Sequence, residues 1–206
     1  MLDQLSRLPA QALDLPSYKS DFQENFWKTD MSWKLERQLT FKEPSSPSWV
    51  AMAEGDWEKS LLLAREMRAG RAEHQRDLDR FGIVQRRIRF VCDPPTSYLQ
   101  WELHLLMIWA ELGEQIQVLP TEAIAHLETE AILPEVLVLG ERSPSPVMYE
   151  ILYTDGVLSG ARKFTDPELI DVCRSEITGL WQRGEDLLSY FPRKVTHLPP
   201  PASQRV

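Results

Sequence analysis

The chain reads as an α/β (α+β) protein, a mixed sheet with helices packed on it. Strand-like and helix-like segments alternate through its middle, which favours that layering. "VQRRIRFVC" (84–92) alternates with Val84, Ile88, Phe90 and Cys92 on one side. "YLQWELHLLMIWAELG" (98–113) follows as a helix apolar nearly all round, so it is buried on more than one side. "PEVLVLG" (134–140) is the continuous apolar run expected of a strand inside a covered sheet.

The elements follow in order. "MLDQLSRLPAQALDLP" has no continuous apolar run and reads as a poorly ordered lead-in rather than a secretory signal. "SYKSDFQENFWK" places Tyr18, Phe22 and Phe26 at four-residue steps, a short amphipathic helix with Ser17 as N-cap. After Asp30 comes the strand "SWKLERQLTF" (32–41). "KEPSSPS" is a loop, and Ser48 caps a turn of helix that Gly55 closes. Asp56 caps one long helix over 57–81, weakened at Gly70 and stopped at Gly82.

Thr96 or Ser97 caps the apolar helix. "QIQVL" is a short strand and "TEAIAHLE" a brief helix. The first strand-helix-strand unit is parallel by the right-handed crossover rule. Asp155-Gly156, between two strand-like runs, marks a hairpin. Asp166 with Pro167 starts a last helix that runs to 191 and bends at Gly179 or Gly184. "LPPPASQRV" is a disordered, proline-rich tail. The division expected is a helical N-terminal part with one strand (1–82), a mixed core (83–192) and a tail (193–206), together forming one compact unit.

The 206 residues carry 43% hydrophobic and 26% charged residues, ordinary for a globular chain. The net charge of -8 argues against general nucleic-acid binding, although Arg86, Arg87 and Arg89 form a local run. No window reaches transmembrane length, so no membrane contact is expected and the cytoplasm is the expected compartment. Cys92 and Cys173 sit in apolar stretches and read as reduced thiols. No Cys/His spacing resembles a zinc site, and no nucleotide-binding or nucleophile-elbow motif occurs. No cofactor or metal is expected.

One residue in "SWKLERQLTF" breaks the pattern. Trp33, Leu35, Leu39 and Phe41 share a parity with Arg37, which aims a guanidinium at a core. A buried guanidinium cannot shed its charge and needs an anion. Glu102, on the apolar helix, is the expected same-chain partner. The functional alternative uses the same atoms: Arg37 and the equally inward Arg86 form an anion pocket walled by Trp33, Tyr98 and Trp101, with Arg89 tuning the field. Glu36 and Glu102 are then the candidate base or amine anchor. His74 reads as solvated, His104 as packing, and His126 and His197 lack companions in sequence.

"WKLERQLTFKEPSSPSWVAMAEGDWE", "RRIRFVCDPPTSYLQWEL" and "KFTDPELIDVCRSEITGLW" resemble an uncharacterised actinobacterial family, a domain of unknown function often encoded beside helix-turn-helix regulators and their small companion proteins. The resemblance implies no reaction. More distantly, the stretch 86–181 is similar in element order to one half of a phospholipase-D-like domain. That chemistry needs a His-x-Lys, and here the residue two after His74, His104 and His126 is Arg76, Leu106 and Glu128. The expected function is a non-hydrolytic binding, accessory or regulatory protein. It would hold a small anionic ligand or a protein partner, such as a helix-turn-helix regulator or a companion subunit. The alternative is an enzyme of specialised metabolism acting on a small phosphate or sulfate ester, with arginines holding the anion and a glutamate handling a proton.

Overall fold

The computed structural model describes residues 1–128, 131–143 and 145–201. A 3-10 turn, Leu2–Arg7, precedes β1 (Gln11–Asp14), α1 (Leu15–Phe26) and β2 (Met31–Glu36). Three helices follow: α2 (Pro47–Ala53), α3 (Trp57–Glu66) and α4 (Arg68–Phe81). Then come β3 (Val84–Val91), α5 (Ser97–Leu112), β4 (Gln115–Pro120) and a 3-10 turn at Thr121–Ile124. The chain continues through β5 (Glu135–Leu139), β6 (Val147–Thr154), β7 (Val157–Phe164), α6 (Pro167–Trp181), β8 (Glu185–Asp186) and α7 (Leu187–Lys194).

The mixed α/β layering expected from the sequence is present. The strands form one eight-stranded sheet in the order β1-β7-β6-β5-β2-β3-β4-β8. β2, β3 and β4 run parallel, and the remaining pairings are antiparallel. β2, from the N-terminal part, lies between β5 and β3. The hairpin turns at Asp155 and Gly156, both with positive φ (51° and 82°), the twist a two-residue hairpin loop favours.

One face of the sheet packs Trp33, Leu35, Ile88, Phe90, Val136, Val138 and Met148 under α6 and the N-terminal turn. The other face is divided. α1 covers the β5–β6–β7 side through Tyr18, Phe26, Leu137 and Tyr149. α5 and α7 cover β3 and β4 through Leu99, Leu103, Val118 and Phe191.

Several expectations need correction, each for a local reason. The N-terminal lead-in is built into the core: Leu2 and Leu5 are buried, and β1 pairs with β7. The Arg162 guanidinium donates to the carbonyls of Leu5 and Leu8, fixing that turn to the sheet. α1 is capped by Asp14, whose carboxylate accepts from Ser17 N at 2.9 Å, so Ser17 is the bonded residue and not the cap. α2 is capped by Ser46 ahead of Pro47, and Ser48 is buried inside the helix. The long helix divides at Met67, ahead of Gly70.

β2 stops at Glu36, well before Phe41. The Glu135 carboxylate ends it by accepting from Arg37 N (2.7 Å) and Gln38 N (2.6 Å), so those amides leave the ladder. The last helix also divides. Gly184 lies so close to Gln117 that a Cβ there would sit 2.7 Å from the Gln117 Cβ, and β8 pairs with β4 before Asp186 caps α7. The beginning of the tail packs back: Gln100 Nε2 donates to Pro199 O at 2.8 Å. The tail's last five residues, 202–206, lie outside the described residues.

Gly160 is where β1 meets β7, and a Cβ there would collide with the Leu13 carbonyl oxygen. Gly160→Ala is therefore expected to destabilise the protein by about 1–3 kcal/mol, the usual range for overpacking. Urea melts of the two proteins measure it; an unchanged midpoint would mean β1 is not seated as described.

Candidate functional site

The divided face leaves a seam over β2 and β3. Alternation along β2 sends Lys34 and Glu36 to this face while Trp33 and Leu35 go to the other. On β3 it does the same with Arg87 and Arg89 against Ile88 and Phe90. The seam holds a cavity of about 610 Å³. α1 contributes Leu15 and Lys19 to its lining, and α5 contributes Tyr98, Glu102, Leu105 and Trp109. The loop after β2 adds Phe41, Lys42 and Glu43, and the β6–β7 hairpin adds Tyr153, Val157 and Leu158.

The floor is a chain of alternating charges. Lys34 Nζ meets Glu36, and Glu36 Oε2 accepts from Arg87 Nη1 at 2.6 Å. Arg87 Nε donates to Glu114 Oε1 at 2.7 Å, and Arg71 Nη2 donates to Glu114 Oε2 at 2.7 Å. Trp109 lies against both guanidiniums, 4.8 Å from Arg71 and 5.1 Å from Arg87, a cation–π geometry. Burial disfavours ionisation of Glu36, but Arg87, Lys34 and Arg89 outweigh it and hold its carboxyl below the usual carboxylate range.

Beside the floor, Arg89 is fully buried. Its Nε donates to Glu102 Oε2 at 2.6 Å, and its Nη1 donates to the carbonyls of Gln38 (2.7 Å), Glu36 and Phe90 (3.2 Å each). The Tyr98 hydroxyl lies between two carboxylates, 2.6 Å from Glu43 Oε1 and 3.2 Å from Glu102 Oε1. Burial raises the pKa of Glu102 in spite of Arg89, and it raises that of Glu43 in spite of Tyr98. Glu135 is pushed up to about 7, first by burial and then by the charge of Glu36.

The structure separates the residues singled out in sequence. Glu36, Tyr98 and Glu102 line the cavity, with Arg89 directly behind Glu102. Trp33 and Arg86 are on the opposite face, where the Arg86 guanidinium stacks 4.8 Å over Trp33 and 5.7 Å over Trp181. Trp101 is fully buried, its Nε1 donating to Ser48 Oγ at 2.9 Å, and it ties α5 to α2. Arg37 is buried and ion-paired, as the inward guanidinium required, but its partner is not Glu102. It grips Glu128 with both ends of the fork, Nε to Oε1 and Nη2 to Oε2, each at 2.6 Å. The strand's early end moved Arg37 off the alternation on which the Glu102 pairing rested.

The residues missed are Lys19, Lys34, Lys42, Glu43, Arg71, Arg87 and Glu114. Arg87 had a signal. The helix apolar nearly all round implied a cover over the second face of β3, which made Arg87 as enclosed as Ile88. His104 packs edge-on against Trp57 and Phe191, and burial lowers its pKa to about 4. His74, read as solvated, stacks on Phe26 and meets Trp27 edge-on. Among the described residues no group of three or more His, Cys, Asp or Glu could hold a metal ion. Both cysteines are free. No helix among these residues is long and apolar enough to cross a membrane.

A family model described as "Domain of unknown function (DUF6879)" matches residues 20–192, and the chain belongs to that family. No curated protein matches the sequence.

Glu135 gives the region a pH dependence. With its carboxyl raised to about 7 in the folded protein, the native state binds more protons than the unfolded chain above the ordinary glutamate range. Stability is thus greatest at low pH with respect to this group and is lost as pH rises through 7. Glu135→Gln keeps a side-chain oxygen to accept from Arg37 N and Gln38 N. Between pH 5 and pH 8 the wild type is expected to lose about 2 kcal/mol more unfolding free energy than the variant. Equal slopes in urea melts across that range would refute the assignment.

Proposed function

We propose that this member of the DUF6879 family is a non-hydrolytic binding protein that holds a small anionic ligand in the seam cavity. The observation that carries the reading is the cavity itself. Its volume of about 610 Å³ is that of a pocket for a small molecule, its walls are aromatic and aliphatic, and three lysines line it. Lys34 lies on the floor, while Lys19 and Lys42 are exposed. The Arg87 charge is spent on Glu36 and Glu114 and the Lys34 charge on Glu36, so the exposed ammonium groups of Lys19 and Lys42 supply the anion's partners.

The role fits an accessory or regulatory protein of the cytoplasm. The resemblance to proteins encoded beside helix-turn-helix regulators adds such a regulator or a companion subunit as the partner that reads the bound state. One observation favours the enzymatic alternative: Glu43 and Glu102 line the cavity with raised pKa values, as a proton-handling carboxyl of a phosphate- or sulfate-ester enzyme would need.

Phenyl phosphate, titrated against the protein and followed by intrinsic tryptophan fluorescence, is expected to bind at low salt. The Lys19→Ala/Lys42→Ala double variant should weaken it about tenfold, from two partly screened ion pairs. Saturation that is absent, or unchanged in the variant, would remove the anion site. Release of nitrophenol from 4-nitrophenyl phosphate or sulfate, lost in Glu102→Gln, would establish the enzyme instead.

A further inference from the structure

We infer that the ligand of this cavity is amphoteric, a small molecule with an ammonium group at the end away from its anion and an apolar, ring-sized body between. The inference rests on the anion-binding reading above and adds the second end of the ligand.

It starts from a proton count. The Tyr98 hydroxyl has one hydrogen and faces two carboxylate oxygens, Glu43 Oε1 at 2.6 Å and Glu102 Oε1 at 3.2 Å. The shorter contact takes that hydrogen. Glu102 Oε1 is then short of a donor, on a side chain that lines the cavity and is only 6% exposed. Among the described residues no other hydrogen-bond donor reaches that oxygen, because Arg89 donates to Oε2. In the empty cavity a proton kept on one of the two carboxyls makes up that donor, in line with the burial that raises the pKa of both, and a ligand ammonium replaces the proton with a donor and a positive charge.

An ammonium suits the place better than a hydroxyl. It brings three donors and a positive charge to a wall holding two carboxylates. Among the anion's partners Lys19 is set apart from this wall: it belongs to α1, which covers the other side of the seam from the α5 residues Tyr98 and Glu102, whereas Lys42 adjoins Glu43 on the loop after β2. The walls between are Phe41, Tyr153 and Leu158, which fit an apolar body. Glu36 is no competitor for the ammonium, since both of its oxygens are held by Lys34 and Arg87.

Tyramine O-phosphate and 4-ethylphenyl phosphate test this, since they differ by the amine alone. Calorimetric titration of the full chain at pH 7 is expected to show tyramine phosphate binding at least tenfold tighter. In Glu43→Gln, a change at a half-buried loop residue, that ratio should fall towards one. Glu102→Gln should do the same where it folds. Equal affinity of the two probes for the wild type would overturn the amphoteric ligand while leaving the anion site standing. Absence of binding by both would overturn the anion site and this inference with it. A ratio that survives Glu43→Gln would overturn the assignment of the ammonium to this wall.

Discussion

The arrangement depends on Arg87 being enclosed between Glu36 and Glu114. A guanidinium under a helix keeps its charge, so the fold has to bring carboxylates to it. Burial works against the charge on Arg87, and Glu114 and Glu36 together more than restore it. Those two carboxylates come from different places in the chain, Glu36 from the last residue of β2 and Glu114 from just beyond α5. Arg71 on α4 then closes on the free oxygen of Glu114. One cation therefore sets β2, β3, α4 and the end of α5 relative to one another. Such a network is weak evidence for net stability, because desolvation cancels much of the attraction. What it imposes is register, since a one-residue slip of β2 against β3 would bury Arg87 without its anion.

The same charges explain why the seam stays open. A face made of Lys34, Glu36 and Arg87 cannot be closed by leucines without stranding polar groups. α1 and α5 accordingly pack on the apolar residues to either side and leave the middle strands to the cavity. The floor is held because both oxygens of Glu36 and both oxygens of Glu114 have a cationic partner. The lysines, two of them exposed, are the adaptable part.

Much of the architecture was legible because local signals and tertiary packing agree. The Asp155-Gly156 hairpin, the Asp166-Pro167 helix start and the Thr96 cap depend on backbone chemistry within a few residues. Ion pairing is not legible in that way. That Arg37 needed an anion followed from burial alone, but the choice of Glu128 over Glu102 depended on where β2 stops. That point is set by Glu135, about a hundred residues away in the chain. The N-terminal turn was missed for a similar reason. Leu2, Leu5 and Leu8 recur at three-residue steps, but over a single short turn, and their burial comes from Arg162 and α6, which sequence spacing does not show. Parity did place Arg87 and Arg89 on the opposite side of their strand from Arg86, whereas Glu36, expected in a pocket with Trp33, lies on the Arg87 side. The error lay in which side holds the cavity.

That error has a physical content. An alternation with apolar residues on one face identifies that face as core, and the other is then taken as solvent. In a sheet covered on both sides the inference fails, and charged residues of the second face are enclosed as deeply as the leucines of the first. Arg86, on the apolar face, finds its stabilisation in the rings of Trp33 and Trp181 and remains half-buried. Arg87 and Arg89, on the charged face, are buried and demand carboxylates. The face that looked like surface therefore holds the expensive groups. Charges that cost that much to enclose are the ones from which a binding site is built.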